Sequence, residues 1–383
     1  MKIFLASSGD DSDIPPSSAV IDSFLGRFNL TSDVFVMSNP DVIWFLSGGT
    51  EHKVLSRIES KNRYCFLASR NGNSWAAATE VKAYLNEKGI NTKLFDVDKL
   101  ESLDELEKYL TPPAPEKKSR LGLIGGISNW LVSSIPDEDL LADLLDIELV
   151  EFSWEELLAM PEGDDFCHFA DTFGGFGHES YASELSLVKK FDTLIRQNNL
   201  DAITVACFGL IGKIGNTICL PVSAMNDYGF PAACEGDLCS ATGMMIVNRL
   251  TGKIPWMANL SYADREAAIF SHCTVQKNLL DKMEVTTHYE TGKYAAVKGE
   301  MKKQNVTIFR IDRKLEYCFL SLGEIIGNCD SPFACRTQVK VKMTSKGLFL
   351  LREFPLGNHH LIIEGDYTDI IAEYFTNHGF RVV

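Results

Sequence analysis

Glu235 closes the short apolar run Pro231-Ala232-Ala233-Cys234 and is followed at once by Gly236 and Asp237. Such a run reads as a short strand, and the carboxyl ends of strands are where open α/β sheets place their ligands. An unpaired charge behind an apolar strand end is expensive to bury, so Glu235 reads as a site residue. Asp237 reads as the cap of the helix that follows to about Leu250, or as part of the same site. Near the C-terminus, Asn358-His359-His360-Leu361-Ile362-Ile363 opens an apolar strand with two histidines. Successive strand side chains point to opposite faces, so one of the pair faces any given site. Carboxylates and imidazoles, as residue types, carry protons and hold cations. Further candidates are His272 in Phe270-Ser271-His272-Cys273-Thr274 and Arg336 in Cys335-Arg336-Thr337-Gln338. His272 reads as a turn histidine or one that donates to a substrate hydroxyl. Arg336 reads as a surface ion pair or a contact to an anionic or hydroxyl-rich substrate.

These groups need elements to position them. The chain has 383 residues, more than one hydrophobic core comfortably serves, so two or three domains are expected. Hydrophobic residues at 45% and charged residues at 23% are those of a globular chain. A net charge of −15 without a basic cluster excludes nucleic acid as a partner. No segment has the run of about 18 apolar residues that a membrane span needs. The start, Met1-Lys2-Ile3-Phe4-Leu5-Ala6, reads as a buried strand and not a secretory signal. Ten cysteines without a CxxC pair read as reduced core thiols, which suits a cytoplasmic protein.

Strand-like runs alternate with helix-period segments through the first two thirds, as in parallel sheets covered by helices. Tyr64–Ala68 predicts a strand, Trp75–Glu87 a helix ended by Gly89 and capped by Asn73 or Ser74, and Thr92–Asp96 a strand. The loop at Asn73 could equally receive a polar ligand at the helix start. A proline-rich charged stretch from Tyr109 to Ser119 predicts a linker. The run from Arg120, the helix Leu185–Asn198 and the strand Ala202–Cys207 predict a second α/β region. After His272 period-2 stretches dominate and predict a small antiparallel barrel or sandwich, closed by a helix over Thr368–Asn377. The expected fold class is α/β, with two Rossmann-like doubly wound domains, 1–115 and 116–265, and a C-terminal β-rich, barrel-like domain, 266–383. Gly125-Gly126 lacks the Lys-Ser/Thr ending of a phosphate loop, and no GxGxxG follows a strand, so no nucleotide site is expected.

Several stretches together resemble the L-fucose isomerase and L-arabinose isomerase family, especially its shorter members. They are FLSGGTE and ASRNGNSWAAATEVKAYLNEKG, then ITVACFGLI, then PAACEGDLCSATGMMIVNRLTGKIPWMANL with FSHCT, and finally THYETG, CRTQV and PLGNHHLIIEGDY. The resemblance covers most of the chain, most strongly from Asp201 to Asp366. It implies a divalent-metal-dependent enzyme, usually with Mn²⁺, that interconverts aldoses and ketoses by moving a proton between C1 and C2 through an enediol. It places metal ligands at Glu235, at Asn259 and at the histidine pair, most simply His359, with Glu235 also carrying the proton. A Lewis acid held by such groups lowers the cost of the enediolate charge. His272, His360, Asp237, Glu290, Arg336 and Asn73 fall around the substrate or behind the ligands. The resemblance also implies a homo-oligomer, trimer or hexamer, with the loop at Asn73 reaching a neighbour's cleft.

One matched position departs from the family. Asn259 stands where the second acidic ligand is found, and an amide coordinates through its carbonyl oxygen but brings no charge and exchanges no proton. Either another acid substitutes, with Glu290, Asp237 and Asp264 as candidates, or the chain binds a sugar or catalyses a related reaction without ordinary turnover.

Overall fold

A computed structural model describes residues 2–9, 19–38, 40–58, 63–88, 90–99, 102–103, 106, 118–163, 167–174 and 181–383. The chain divides into two compact units, Met1–Glu116 and Lys117–Val383. The expected linker from Tyr109 and the helix stop at Gly89 fall largely or wholly outside the described residues.

The first unit is a parallel sheet in the order β1 (Ile3–Ala6), β2 (Val42–Phe45), β3 (Arg63–Ala68), β4 (Asn91–Asp96). Strands β1, β2 and β3 are apolar at nearly every position because both faces are covered. Ile3, Leu5, Val42, Trp44 and Leu67 pack on one face with Ile21 and Phe24 of the helix Ala19–Arg27. Phe4, Ile43, Phe45 and Phe66 pack on the other with Ala77, Ala78 and Val81 of the helix Ser74–Glu87. Asn73 precedes that helix at φ +56° and makes no side-chain cap. Ser74 Oγ instead donates to Ser69 O at 2.9 Å and accepts from Ser69 N at 3.0 Å, so neither proposed residue caps by the expected bond.

The second unit begins with a parallel sheet in the order β6 (Ile147–Phe152), β5 (Ser119–Ile124), β7 (Ala202–Val205), β8 (Ala232–Cys234). The order reverses at β5, and the carboxyl ends of β5, β7 and β8 lie side by side. The strand expected to reach Cys207 stops at Val205, and Cys207 opens the helix Cys207–Ile214.

The β-rich part is a closed antiparallel barrel. Its strands run β13 (Asn305–Ile311), β16 (His359–Glu364), β9 (Trp256–Ala263), β10 (Ala267–His272), β15 (Thr337–Met343) and β14 (Tyr317–Asn328), which pairs back to β13. A short strand β17 (Arg381–Val382) lies parallel to β14, and β11 (Leu280–Thr287) and β12 (Tyr294–Met301) form a separate ribbon. The barrel therefore starts at Trp256, ahead of the expected boundary at 265/266. Only the pairing of β9 with β10 and β16 shows this, because its own burial alternates weakly. A helix over Ser345–Glu353, capped by Thr344, interrupts a stretch that period alone assigned to strands. The expected terminal helix spans Thr368–Asn377.

Residues 117–383 are one unit because the helix Leu238–Thr251 is buried on all sides over its first ten residues. A helix that is apolar all round belongs inside a core. It packs on Leu121, Ile203 and Val205 of the sheet and on Phe309, Leu361 and Ile363 of the barrel. A Cβ on Gly243 would lie 2.7 Å from Leu361, so close approach to the barrel requires glycine there. Asp237 caps its first turn and Gly252 at φ +70° ends it.

Candidate metal centre

Glu235 leaves the carboxyl end of β8 in a sharp turn. It adopts φ +66° and Gly236 follows at φ +73°. The left-handed region costs a side-chain-bearing residue about 1–2 kcal/mol, and such outliers gather at functional sites. A Cβ on Gly236 would lie 2.4 Å from Gly126 O, so the β5 loop can close over the turn only on glycine. Ser128 N donates to Glu235 O at 3.0 Å, and Gly236 N donates to Val205 O at 3.1 Å. The carboxylate thus sits where the three strand ends meet.

Two imidazoles from the barrel face it. His359 Nε2 lies 3.5 Å and His272 Nε2 3.8 Å from Glu235 Oε1. Donor atoms of all three residues lie within 4.8 Å of one another. Both Nε2 atoms are buried and have no hydrogen-bond partner among the described residues. Each ring is instead held at its other nitrogen, His359 Nδ1 by Asp237 Oδ2 at 2.9 Å and His272 Nδ1 by Thr274 Oγ1 at 2.9 Å. Metal-ligating histidines are oriented in this way, through the nitrogen that does not bind the ion. Two orphaned buried nitrogens and a carboxylate oxygen converging on one point fit a divalent cation of the N/O-binding kind.

Charge is balanced around this point. Burial opposes an ionised Glu235, but His272 and His359 outweigh it and hold the carboxyl well below the usual range. Burial likewise works against Asp237, yet Arg310 and His359 bring it down to about 2. His359 is pushed up to about 9, because Asp237 and Glu235 together overcome its desolvation. A cation on Nε2 must displace a proton there, so binding releases one. Asp237 is also the expected helix cap, since Oδ1 accepts from Ser240 N at 2.7 Å.

Asn259 lies directly opposite His359 on β9 and opposite Ser271 on β10. Its amide is taken up by neighbours: Oδ1 accepts from Asn358 Nδ2, and Nδ2 lies 3.8 Å from Cys335 Sγ. The converging donor that accompanies Glu235 and His359 is therefore His272, expected from the sequence around the substrate or behind the ligands. Arg336 is also occupied, donating from Nε to Thr287 O at 2.7 Å, where it pins the end of β11. Asp264 accepts from Glu266 N and Ala267 N at 2.7 and 2.9 Å and organises an exposed turn. Glu290 pairs with His288 at 3.2 Å. Asn73 belongs to the first unit.

His360 is corrected outright as a substrate contact. It points to the other face of β16, edge-on to Phe319 and Phe270 at centroid distances of 5.6 and 5.8 Å. Burial, then the Arg310 charge, drive its pKa down to about 3. The unfolded chain binds this proton near 6.5, so stability is complete above that pH and falls as pH drops from 6.5 towards 3. His359 adds no slope in that window, because its raised pKa removes stability only as pH rises towards 9. Between pH 7 and 4.5 urea unfolding is expected to show a loss of roughly 3 kcal/mol from His360. A His360→Phe chain with the same slope as the wild type would refute this assignment.

Three further residues complete the site without having been singled out from the sequence. Trp130 Nε1 donates to Glu235 Oε2 at 2.7 Å, so both oxygens of Glu235 are directed. Arg310 pairs with Asp237 at 3.5 Å and donates to Ser134 Oγ at 2.7 Å, in full burial. Its signal was an arginine inside Val306-Thr307-Ile308-Phe309-Arg310-Ile311, a strand buried at nearly every position. His288 stands two residues before Glu290, a spacing that can place both on one side of a local segment. For Trp130 no local signal exists, since an aromatic in a loop reads equally as surface.

No protein-family model matches the chain. A stretch of 83 residues is 30% identical to the sulfoquinovose isomerase of Alkalicoccus urumqiensis, covering 21% of this chain and 19% of that protein. The match therefore spans about a fifth of that relative's length.

Proposed function

We propose that this chain is a metal-dependent sugar isomerase that interconverts an aldose and a ketose. The observation that carries the reading is the set of Glu235, His272 and His359, with two orphaned Nε2 atoms aimed at one carboxylate. The partial likeness to a sulfoquinovose isomerase supports the same class of reaction, as do the motifs shared with L-fucose and L-arabinose isomerases. Glu235, His272 and His359 would hold the ion, for which Mn²⁺ is the expected choice. Bound there, a divalent cation supplies Lewis acidity that lowers the cost of negative charge on the sugar oxygens.

The residues of the chain supply the rest. Glu235 takes the proton from C2 and returns it to C1, while Trp130 fixes its outer oxygen and thereby its rotamer. Asp237 and Thr274 hold the two imidazoles in the orientation that leaves Nε2 free. Arg310 keeps Asp237 ionised in the core. A cleft of about 480 Å³ bordered by Asn259, Ser271, Cys335 and Glu290 is of sugar size, and Asn259 on its lining stands opposite His359 in the sheet.

The test is a screen of free aldoses and ketoses with Mn²⁺, read by NMR. Conversion of at least one sugar by the wild type, lost in Glu235→Gln, is the expected result, and wild-type turnover in that variant overturns the mechanism. A second reading, a sugar-binding protein without turnover, is favoured by one fact: Asn259 is neutral and its amide is engaged by Asn358 and Cys335. Asn259→Asp raises turnover if the site is otherwise competent and leaves it at zero in a binding protein. A trimer or hexamer is proposed by resemblance, and a monomeric mass in light scattering excludes it.

A further inference from the structure

We propose that Glu290, held by His288, is the second proton-carrying carboxylate of this site and fills the role that Asn259 cannot. The inference rests on the isomerase reading. Converting an aldose to a ketose moves a carbon-bound proton from C2 to C1 and a hydroxyl proton from O2 to O1. C2 is oxidised and C1 reduced within one molecule, so no external oxidant or reductant takes part. Glu235 serves the carbon proton, and its oxygens are already directed, Oε1 to the two imidazoles and Oε2 to Trp130. The hydroxyl proton needs another carrier.

The fold decides among the acids nearby. Asp237 is fully buried and spent on Ser240 N, His359 and Arg310. Asp264 is spent on the backbone of its own turn. Glu290 is half-exposed and lines the same cleft as Asn259, where it is the one carboxylate among the described lining residues. Its partner His288 is buried, with Nδ1 3.1 Å from Thr291 Oγ1 and Nε2 3.2 Å from Glu290 Oε2. A backed imidazole paired to a carboxylate that faces a cleft is the arrangement of a positioned acid/base group.

Contacts tie this pair to the metal centre. The His288 ring lies 5.6 Å from Phe208, edge-on, and Phe208 lies 5.0 Å from Trp130, whose N–H binds Glu235. On the other side Cys335 borders Glu290 in the cleft and meets the Asn259 amide. The His288–Glu290 pair is thus joined to Glu235 through Phe208 and Trp130, and to Asn259 through Cys335. Glu290 accepts the O2 proton and delivers a proton to O1 as Glu235 moves the carbon proton.

Full-length wild type, Glu290→Gln and Glu290→Gln/Asn259→Asp are titrated calorimetrically with Mn²⁺ alone and assayed by NMR on the aldose screen. Mn²⁺ affinity in Glu290→Gln is expected to stay within about threefold of wild type, while turnover falls by about 100-fold or more. Adding Asn259→Asp is expected to recover at least about tenfold, which a purely structural role for Glu290 would not allow. Turnover in Glu290→Gln near the wild-type rate overturns the inference and leaves the isomerase reading standing. Loss of Mn²⁺ in Glu290→Gln also overturns it, by making Glu290 a ligand. A wild type that binds Mn²⁺ but converts no sugar overturns the isomerase reading itself, and this role with it.

Discussion

Replacing His272 by alanine is expected to strip the chain of Mn²⁺, while Asn259→Ala keeps it. After dialysis against Mn²⁺ and then buffer, elemental analysis by mass spectrometry should find a single equivalent in the wild type and in Asn259→Ala, and none in His272→Ala or Glu235→Ala. His272 brings a buried Nε2 with no hydrogen-bond partner among the described residues, backed by Thr274, whereas the Asn259 amide is already engaged by Asn358 and Cys335. Loss of an outer partner of a ligand typically weakens metal binding by about 10- to 100-fold, so removal of the ligand itself should exceed the upper figure. Thr274→Ala should fall within that range. Metal retained in His272→Ala but lost in Asn259→Ala would return the ligand set to the one implied by the resemblance.

Arg310→Met is expected to cause the largest loss of stability of any single substitution around the site, about 3–5 kcal/mol in urea unfolding. Arg310 and Asp237 are buried together, and the guanidinium also donates to Ser134 Oγ, Ser133 O and His359 O at 2.7, 3.2 and 2.5 Å. Removing the cation strands a carboxylate inside the core, and that stranding sets the size of the effect. Asp237→Asn added to Arg310→Met should therefore recover part of the loss. The pH dependence follows: Asp237, lowered to about 2, contributes stability above its ordinary 3.8 that disappears as pH falls towards 2. That acid-side contribution should shrink in Arg310→Met. Gly357→Ala should act in the same direction, because its Cβ would lie 2.2 Å from Arg310 Nη2. A midpoint for Arg310→Met equal to that of the wild type would show that the pair holds nothing together.

Local signals carried much of the architecture. Apolar runs bounded by turns located β3, β7 and β8 to within a residue or two, and the Asp237 cap with the expected end near Leu250 bracketed the buried helix to within a residue. Capping and stop chemistry act within one turn, so the chain's own order records them. The barrel was legible as β-rich, but its first strand was not, because β9 follows a helix and shows little alternation. The helix Ser345–Glu353 was missed for the opposite reason: a short helix between two period-2 stretches is masked by its surroundings.

The candidate site divides in the same way. From the sequence alone Glu235 stood out, since a carboxylate at an apolar strand end demands a partner, and alternation required His359 and His360 to part company. Tertiary structure decided which histidine turns inward, because that depends on β16 lying between β9 and β13 with His359 opposite Asn259. It also brought in His272, which lies just beyond an irregularity of register at Ile269/Phe270 that no count along the chain foresees. Trp130, Arg310 and the His288–Glu290 pair come from three separate segments, and their partners are fixed by loop closure and strand pairing. Spacing along a chain determines what a residue's own element does with it. Convergence of donors from distant elements is set by pairing register and packing, which only the folded chain contains.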